Sequence, residues 1–568
     1  MNSRWLLLAL SMTIVQTASA AWLGVCGGAP QNSTAKLLAE YSSPQKARTA
    51  LYVAKEPLPD CAAVELPFSP ASFISGRLLS PGLARALDSG FALTGRLVEQ
   101  QFHVSDVEPS VENTEVTAVP VGVELSDKLN VHAFGIEGRA TASHHNGRIA
   151  LECTAGRRAA GMLLRMPFLG LPREIPLSVV LEYREDGQFE MGLSDTRRTT
   201  QDNPLHLAKL NSAMAALHVA VPDQGLAIDS VESFTITCPQ RAAKFELTSL
   251  KIKPKIGHPV VASRALWVWQ PDKWMHSPEA LLDKLAGAGV GILYVNVPIE
   301  AHEGKVLHAH ELEKFVNAAT QRGVRVWAVV GDPGAVIESE REIFARYPAA
   351  YARFNSTVPI TAQLAGIQFD IEPYLNAGYA LDPAVWYEAY LETLRQLRQV
   401  SVLPIDVAVP FWWADQHTAD GALMDRLASV VDSVTVMNYR TDPAQIKRFA
   451  QPFLEWGIRY QRTVRIALES GPIQDEVQRH YRPSLLGEVA LIQLNSHFVL
   501  LEFDRELSLP KSLPAARTFH FSNTTLVPGS ATTFAGQHDA LLKLLPELER
   551  LWSAWHSFAG TALHEFEP

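Results

Sequence analysis

The chain has 568 residues, of which 47% are hydrophobic and 19% charged, a composition that excludes a disordered, collagen-like or multi-span membrane protein. At roughly 100–200 residues per domain, the length predicts two to four domains. The formal net charge is −10 and the sequence contains no run of lysine and arginine. We therefore expect no nucleic-acid partner.

The first 20 residues have the pattern of a secretory signal peptide. Arg4 supplies the positive charge, Trp5–Val15 is mostly apolar, and small residues stand at Ala18 and Ala20. Cleavage would leave Ala21 as the mature N-terminus. The apolar stretch is shorter than the roughly 20 residues of a membrane-spanning helix. The pattern predicts an exported protein, periplasmic or secreted, with no transmembrane segment in the mature chain.

Export would permit disulfide bonds between the four cysteines. Three pairings are possible, and we expect the neighbours along the chain to pair, Cys26 with Cys61 and Cys153 with Cys238. Four free buried thiols are the alternative.

Two regions precede the C-terminal half of the chain. Residues 21–85 predict a partly helical N-terminal segment, with the helix over Ala35–Ala54. Residues 86–256 contain short runs of alternating polar and apolar residues separated by Asn-Gly, Asp-Gly and Pro-Asp turns. This pattern predicts an all-β sandwich. Such a domain is either a carbohydrate-binding module or a surface for packing or partner docking.

Residues 257–568 alternate short apolar runs with longer amphipathic stretches, which predicts an α/β (β/α)8 TIM barrel. The eight predicted strands are Ala265–Gln270, Ile292–Pro298, Val324–Asp332, Gly366–Tyr374, Ile405–Trp413, Ser433–Thr441, Val464–Ser470 and Thr518–Asn523. Residues 471–517 read as an inserted hairpin or helix, and Asp539–Phe558 as the closing helix. A doubly wound open sheet is the structural alternative.

Active sites of such barrels lie at the C-terminal ends of the strands. On the fourth strand, Gln368, Asp370 and Glu372 share one face because side chains alternate along a strand. Two neighbouring carboxylates on an inward face should raise the pKa of one of them, as a general acid requires. An ion pair with arginine or lysine at the barrel floor is the alternative.

The end of the sixth strand carries Asn438 and Tyr439. Together, the Asp370-Ile371-Glu372 and Met437-Asn438-Tyr439 sequences resemble glycoside hydrolase family 18, the chitinase-like barrels, over the barrel half of the chain. The resemblance implies that Glu372 protonates the glycosidic oxygen and that Asp370 orients the N-acetyl group whose carbonyl oxygen is the internal nucleophile. It also implies that Tyr439 hydrogen-bonds that group.

The sequence departs from the family pattern at four positions. Ala365 and Gln368 stand where the family has aspartates, Ile371 where it has tryptophan, and Arg440 where it has aspartate. A relative that acts on another polysaccharide, and a non-catalytic carbohydrate-binding barrel of the cell envelope, are therefore alternatives.

The seventh strand offers a second mechanism, because Glu469 stands at its end. Retaining glycosidases of the large barrel superfamily carry an acid on strand four and a nucleophile on strand seven, which Glu372 and Glu469 would match. In both mechanisms Glu372 is the acid. A metal-dependent hydrolase with Asp370 and Glu372 as ligands is a further alternative.

Further polar and aromatic residues near strand ends are candidates for contact with a polysaccharide or oligosaccharide. They are Trp269, Asn296, Trp412, Trp413, Asn438 and His520. Flat indole rings are suited to stacking on sugar faces, although core packing is the alternative for any single tryptophan. The sequence contains no metal-site, P-loop or dinucleotide motif in its required context, so we expect no metal and no cofactor. It makes no prediction about protein partners.

Overall fold

The computed structural model describes residues 20–566 except 32–33, 81–92, 99–100, 108–118, 136–137, 168–169, 173–174, 196–203, 211–216, 222–226, 255–262, 301–303, 511 and 514–515. The predicted signal peptide lies, apart from Ala20, outside the described residues. The chain divides into two compact units. The first comprises Met1–Ser110, Asn376–Pro383 and Val477–Leu526, and the second comprises Val111–Leu375, Ala384–Glu476 and Val527–Pro568.

The first unit contains two antiparallel sheets. The smaller sheet has four strands in the order Lys36–Ser42, Arg48–Ala54, Ala21–Cys26 and Ala62–Leu66. The larger has seven, in the order Phe73–Leu79, His497–Leu507, Gly487–Leu494, Arg517–Val527, Glu476–Ser484, Leu93–Val98 and Gln101–Val107. Buried residues of both sheets, such as Leu23, Val53, Ile492 and Phe503, form one core. The Cys26–Cys61 disulfide confirms the first predicted pair.

The helix predicted over Ala35–Ala54 is wrong, because this segment forms the first two strands of the four-stranded sheet. Pro44 and Lys46 lie in the turn between the strands, and the positive φ of Lys46 (62°) cannot occur inside a right-handed helix. Leu51 and Val53 pair with Val25 and Leu23 of the neighbouring strand, which buries the apolar run that the helix prediction used.

The sandwich of the second unit consists of two five-stranded antiparallel sheets. One has the order Leu217–Ala220, Leu177–Glu185, Ala243–Pro254, Arg148–Cys153 and Ala140–His145. The other has the order Leu205–Leu210, Phe189–Asp195, Val231–Thr237, Ala160–Arg165 and Asn130–Gly135. The second predicted disulfide, Cys153–Cys238, is confirmed and joins the two sheets. The sandwich strands begin at Asn130 rather than 86, because Leu93–Val98 pairs with Glu476–Ser484 in the other unit's sheet.

The C-terminal half is a closed eight-stranded parallel barrel, so the predicted fold class of sandwich followed by barrel is confirmed. Its strands, numbered in chain order, are Arg264–Val268, Val290–Asn296, Arg325–Val330, Ile367–Phe369, Ile405–Pro410, Ser433–Met437, Thr463–Glu469 and Phe558–His564. The helices of this half are Pro271–His276, Pro278–Ala286, Ala309–Gln321, Glu338–Phe344, Arg346–Thr357, Pro383–Val400, Leu423–Leu427, Pro443–Tyr460 and His538–Trp552. Among the described residues, no helix has both the length and the apolar character that crossing a membrane requires.

The eighth strand is where the barrel prediction is wrong. Thr518–Asn523 does form a strand, but it belongs to the seven-stranded sheet, and Phe558–His564 closes the barrel against strands one and seven. Gly560 and the alanines of this segment have low β-propensity, so the sequence pattern assigned its start to the preceding helix. Residues 471–517 contribute three strands to the seven-stranded sheet, and two of them, Gly487–Leu494 and His497–Leu507, form an antiparallel hairpin, so the hairpin rather than the helix is what this segment contains.

The barrel interior below the strand ends contains a buried carboxylate, Asp406, on strand five. Its Oδ2 accepts hydrogen bonds from Gln368 (2.6 Å), Thr435 (2.7 Å) and Tyr294 (3.1 Å), and its Oδ1 accepts one from Ser433 (2.6 Å). Asp406 is 1% exposed and Gln368 is fully buried. The four donors compensate the desolvation of the carboxylate and connect strands two, four, five and six.

Replacing Asp406 with alanine should destabilise the chain strongly. The substitution removes the acceptor of three buried donors and of the half-buried Ser433 hydroxyl, and each buried group left without a partner costs about 1–3 kcal/mol. We expect the free energy of unfolding to fall by about 3 kcal/mol or more in urea titrations. Asp415→Ala, at an exposed carboxylate of the same barrel half, is the control. A loss below about 1 kcal/mol would show that water or rearranged side chains replace the Asp406 oxygens.

Candidate active site

The end of barrel strand four carries the two predicted carboxylates. Asp370 directly follows the strand, and its backbone N–H still donates to the Val330 carbonyl of strand three (2.9 Å). Glu372 comes next on the same face, immediately before the short 3-10 helix Pro373–Leu375. Because Gln368 is held in the buried layer below, the alternation of the strand directs both carboxylates to the barrel mouth.

Asp370 is held in an environment that disfavours its charge. Its Oδ1 is buried and has no hydrogen-bond partner among the described residues. Burial, together with the negative charge of Glu372, raises the pKa of Asp370 to about 7, although His564 acts in the opposite direction. Asp370 therefore keeps its proton close to neutral pH.

Glu372 is half-buried beside Tyr374, whose hydroxyl donates a hydrogen bond to Glu372 Oε1. Burial raises the pKa of Glu372, while this hydrogen bond and His564 lower it. Among the described residues, the basic side chain that acts on both carboxyls is His564, which differs from the alternative of an ion pair with arginine or lysine at the barrel floor. Two interacting carboxyls with raised pKa values titrate as a pair rather than independently.

Tyr439 follows barrel strand six and packs over His564, with ring centroids 6.0 Å apart and an angle of 25° between the planes. Burial, followed by the charges of Glu469, Asp370 and Glu372, raises the pKa of Tyr439 well above its ordinary value. Its hydroxyl therefore remains a neutral phenol, able to donate a hydrogen bond at the mouth.

Glu469, at the end of strand seven, is 5% exposed and has both carboxylate oxygens engaged. Oε1 accepts from the backbone N–H of Gly471 (2.6 Å), and Oε2 lies 2.8 Å from Nδ1 of His564. His564 Nε2 in turn accepts a hydrogen bond from the indole N–H of Trp269 (3.2 Å). This network assigns the imidazole proton to Nδ1.

Sequence reasoning did not identify His564, although it ends strand eight and faces the carboxylate pair. Burial lowers its pKa, but the hydrogen bond and charge of Glu469, with Glu565 and Asp370, outweigh burial and raise it above 6.5. The sequence does contain a clue, because the mostly apolar segment Phe558–Leu563 after the last helix ends at the polar His564. This clue was missed because the eighth strand had been predicted over Thr518–Asn523. Tyr374 was also missed, although it stands two residues after Glu372 in the alternating series.

The other predicted contact residues fall into different environments. Trp412 is half-buried, with its ring edge-on to Tyr374 at 5.2 Å, but Trp413 is fully buried among Tyr374, Tyr387 and Tyr390. Trp413 is therefore a core residue, because a ring enclosed by other rings cannot stack on a sugar.

Asn438 is also unavailable to a ligand. It is fully buried, and its Nδ2 donates to the Ile446 carbonyl (2.7 Å) in the first turns of the following helix. Asn296 is half-buried at the end of strand two, where its carbonyl accepts from the Trp274 indole (3.0 Å).

His520 is not on a barrel strand and the prediction that places it at the mouth is wrong. It lies on Arg517–Val527 of the seven-stranded sheet, where Nδ1 is 3.1 Å from Glu506 and 3.3 Å from Glu488. These three side chains are the one group in the described part of the chain whose histidine and carboxylate atoms are spaced as metal ligands are. Asp370 and Glu372 are not part of that group.

The sequence matches no protein-family model and no curated protein. Among solved structures, it is similar to the CBM22-1–GH10 modules of Clostridium thermocellum endo-1,4-β-D-xylanase 10B, solved with xylohexaose, with 12% identity over 62% of this chain and 81% of that chain (TM-score 0.25). It is similar to the Bacillus cereus spore cortex-lytic enzyme SleL, with 9% identity over 57% of this chain and 74% of that one (TM-score 0.31).

A family 29 carbohydrate binding module matches 24% of this chain and 84% of its own, with 11% identity and a TM-score of 0.17. Identities and TM-scores of this size say nothing about the chemistry of the site.

Asp370→Asn should stabilise the chain in a pH-dependent way. An unfolded aspartate loses its proton near pH 3.9, whereas folded Asp370 keeps it to about pH 7. Raising the pH through this window therefore favours the unfolded state progressively, and asparagine removes the effect. We expect the substitution to raise Tm more at pH 8 than at pH 4.5.

The exposed Asp415→Asn serves as the control in the same thermal melts, with no pH-dependent gain expected. Equal gains from Asp370→Asn at the two pH values would contradict a raised pKa for Asp370.

Proposed function

We propose that the chain is an exported glycoside hydrolase that cleaves glycosidic bonds in a polysaccharide, with Glu372 as the general acid. The observation that carries the proposal is the Asp370–Glu372 pair, two carboxyls with raised pKa values at the C-terminal end of a barrel strand. A carboxylic acid that is still protonated near neutral pH is what protonation of a leaving oxygen requires.

We further propose that cleavage is assisted by the substrate, as the resemblance to the chitinase-like barrels implies. Glu372 gives its proton to the glycosidic oxygen as the bond from that oxygen to the sugar carbon breaks. The carbonyl oxygen of the sugar's N-acetyl group bonds to that carbon, oriented by Asp370 and by the neutral hydroxyl of Tyr439. Water then attacks the same carbon, which breaks the bond from that carbon to the N-acetyl oxygen and restores the N-acetyl group, and the water gives one proton to the Glu372 carboxylate.

Glu469 supports this version over a retaining pair with a protein nucleophile. A carboxylate nucleophile needs a free oxygen facing the sugar carbon, and both oxygens of Glu469 are already hydrogen-bonded. We therefore assign Glu469 a positioning role toward His564. The two disulfides support export, because such bonds persist in oxidising compartments.

Glu372→Gln should abolish cleavage while the fold is retained. A glutamine cannot donate the proton, so release of reducing ends from N-acetylglucosamine polymers should fall by about 10²–10⁴-fold. Glu506→Gln, at an exposed carboxylate of the seven-stranded sheet, is the matched control and should keep full activity. A wild-type chain that binds such polymers without ever cutting them would favour the carbohydrate-binding barrel instead.

The pH profile of the wild-type chain should have a basic limb. The reaction requires the pair to hold a proton, and Asp370 loses its proton at about pH 7. We expect kcat/KM to fall about tenfold per pH unit above that point. A rate that stays constant to pH 9, or that declines already near pH 5, would be inconsistent with protonated acid from this pair.

A further inference from the structure

The residues around Trp269 form a cavity that the proposed chemistry does not use. Its volume is about 740 Å³, within the roughly 300–1,000 Å³ typical of small-molecule sites. Trp267 and Trp269 line it together with the first turns after barrel strand one, the residues after strand seven, and Glu565 and Phe566 after strand eight.

The charges of the lining balance one another. Lys273 and Lys284 are matched by Asp272 and Glu565, and neutral hydrogen-bonding groups such as Gln270 contribute the rest of the polar surface. A cavity bounded by the half-buried ring of Trp269, with both kinds of hydrogen-bonding group and charges of both signs, is suited to neutral sugar units, which present hydroxyls at their edges and C–H groups on their faces.

Trp269 connects this cavity to the carboxylate pair. At one end of the indole, Nε1–H donates to His564 Nε2 (3.2 Å). The other end of the indole lies close to Gly331. A Cβ atom added to this glycine would be 3.4 Å from Trp269 Cη2, and it would be 2.7 Å from the carbonyl oxygen of Asp370. The ring therefore crosses the mouth from strand eight to the residues beside Asp370.

The orientation of this ring depends on the proton of His564. Glu469 accepts from His564 Nδ1–H, which leaves Nε2 as the acceptor that the indole N–H needs. A proton on Nε2 would instead set two N–H donors against each other. Gly471 N–H occupies the other oxygen of Glu469, so a glutamine at this position could not accept from both donors.

We propose that the cavity beside Trp269 is a sugar-binding subsite for the units adjoining the scissile bond, and that Glu469 and His564 position Trp269 as its wall. The assignment of the bound units relative to a scissile bond rests on the proposed hydrolase function. Trp269 acts by contact with the sugar, whereas Glu469 and His564 act through the indole ring.

The test measures binding without cleavage, in the Glu372→Gln background at pH 8, with an N-acetylglucosamine tetrasaccharide as the probe. We expect Trp269→Ala to weaken the Kd measured by calorimetry by about tenfold or more, as expected for loss of an aromatic platform. Trp269→Phe and Glu469→Gln, which retain a ring or the side-chain volume but break the hydrogen-bond chain, should each weaken it several-fold. Glu506→Gln is the control and should leave Kd unchanged.

A second readout is independent of the ligand. In 15N spectra of histidine-labelled protein recorded as a function of pH, with His564→Gln used to assign the signal, the neutral form of His564 should be the Nδ1–H tautomer, and Glu469→Gln should alter that tautomer. A different tautomer in the parent protein would overturn the positioning role.

The outcomes separate this inference from the proposed function. Tetrasaccharide binding that depends on Trp269 in a wild-type chain that cuts nothing would uphold the subsite and overturn the hydrolase. If the wild type cleaves the polymer but Trp269→Ala leaves the Kd unchanged, the hydrolase would be upheld and the subsite overturned. Absence of any binding to the probe would overturn the subsite.

Discussion

The hydrogen bond from Gln368 Nε2 to Asp406 Oδ2 fixes which face of the fourth barrel strand points inward. Since side chains alternate along a strand, an inward Gln368 requires Asp370 and Glu372 to follow on the same side, while Ile367 and Phe369 lie beneath the helices. Asp406 also accepts hydrogen bonds from three further donors. If the strand turned its other face inward, Gln368 would leave this buried hydrogen-bonded layer. The floor of the barrel thereby determines the chemistry at its mouth.

Above that floor, the protein holds two carboxyls, Asp370 and Glu372, in partly buried positions. Burial disfavours the charged form of both carboxyls. This penalty raises their pKa values, and it also lowers the stability of the folded chain at a pH where they are ionised. Phenols surround the pair, because Tyr374 donates to Glu372 and Tyr439 stays neutral beside it. Hydroxyl donors can stabilise charge that develops during a reaction without neutralising the acid beforehand.

The sequence predicted the half of the site that one strand encodes by itself. Alternation alone places Asp370 and Glu372 together, and a strand-end position identifies Tyr439. The other half consists of Trp269, Glu469 and His564, which follow or end strands one, seven and eight. These strands become neighbours when the eighth strand closes the barrel, although a long insertion separates strands seven and eight in the sequence. His564 was lost because small residues precede it and because Thr518–Asn523 is the stronger strand pattern. Trp412 and Trp413 show a different limit, since neighbouring residues of a 3-10 helix point in different directions and only packing decides which ring is enclosed.

The departures from the chitinase-like pattern have local explanations that leave the carboxylate pair intact. Gln368 accepts from the Trp267 indole and donates to Asp406, its partner across strands four and five. An aspartate at this position would lack the donor and would face Asp406 with a second charge in a buried layer. Arg440 stacks on Phe411 at 4.5 Å, so its charge is held by an aromatic ring beside the mouth. Gln368 and Arg440 thus each have partners of their own, and the Asp370–Glu372 pair on which the proposed acid catalysis depends lies directly after strand four.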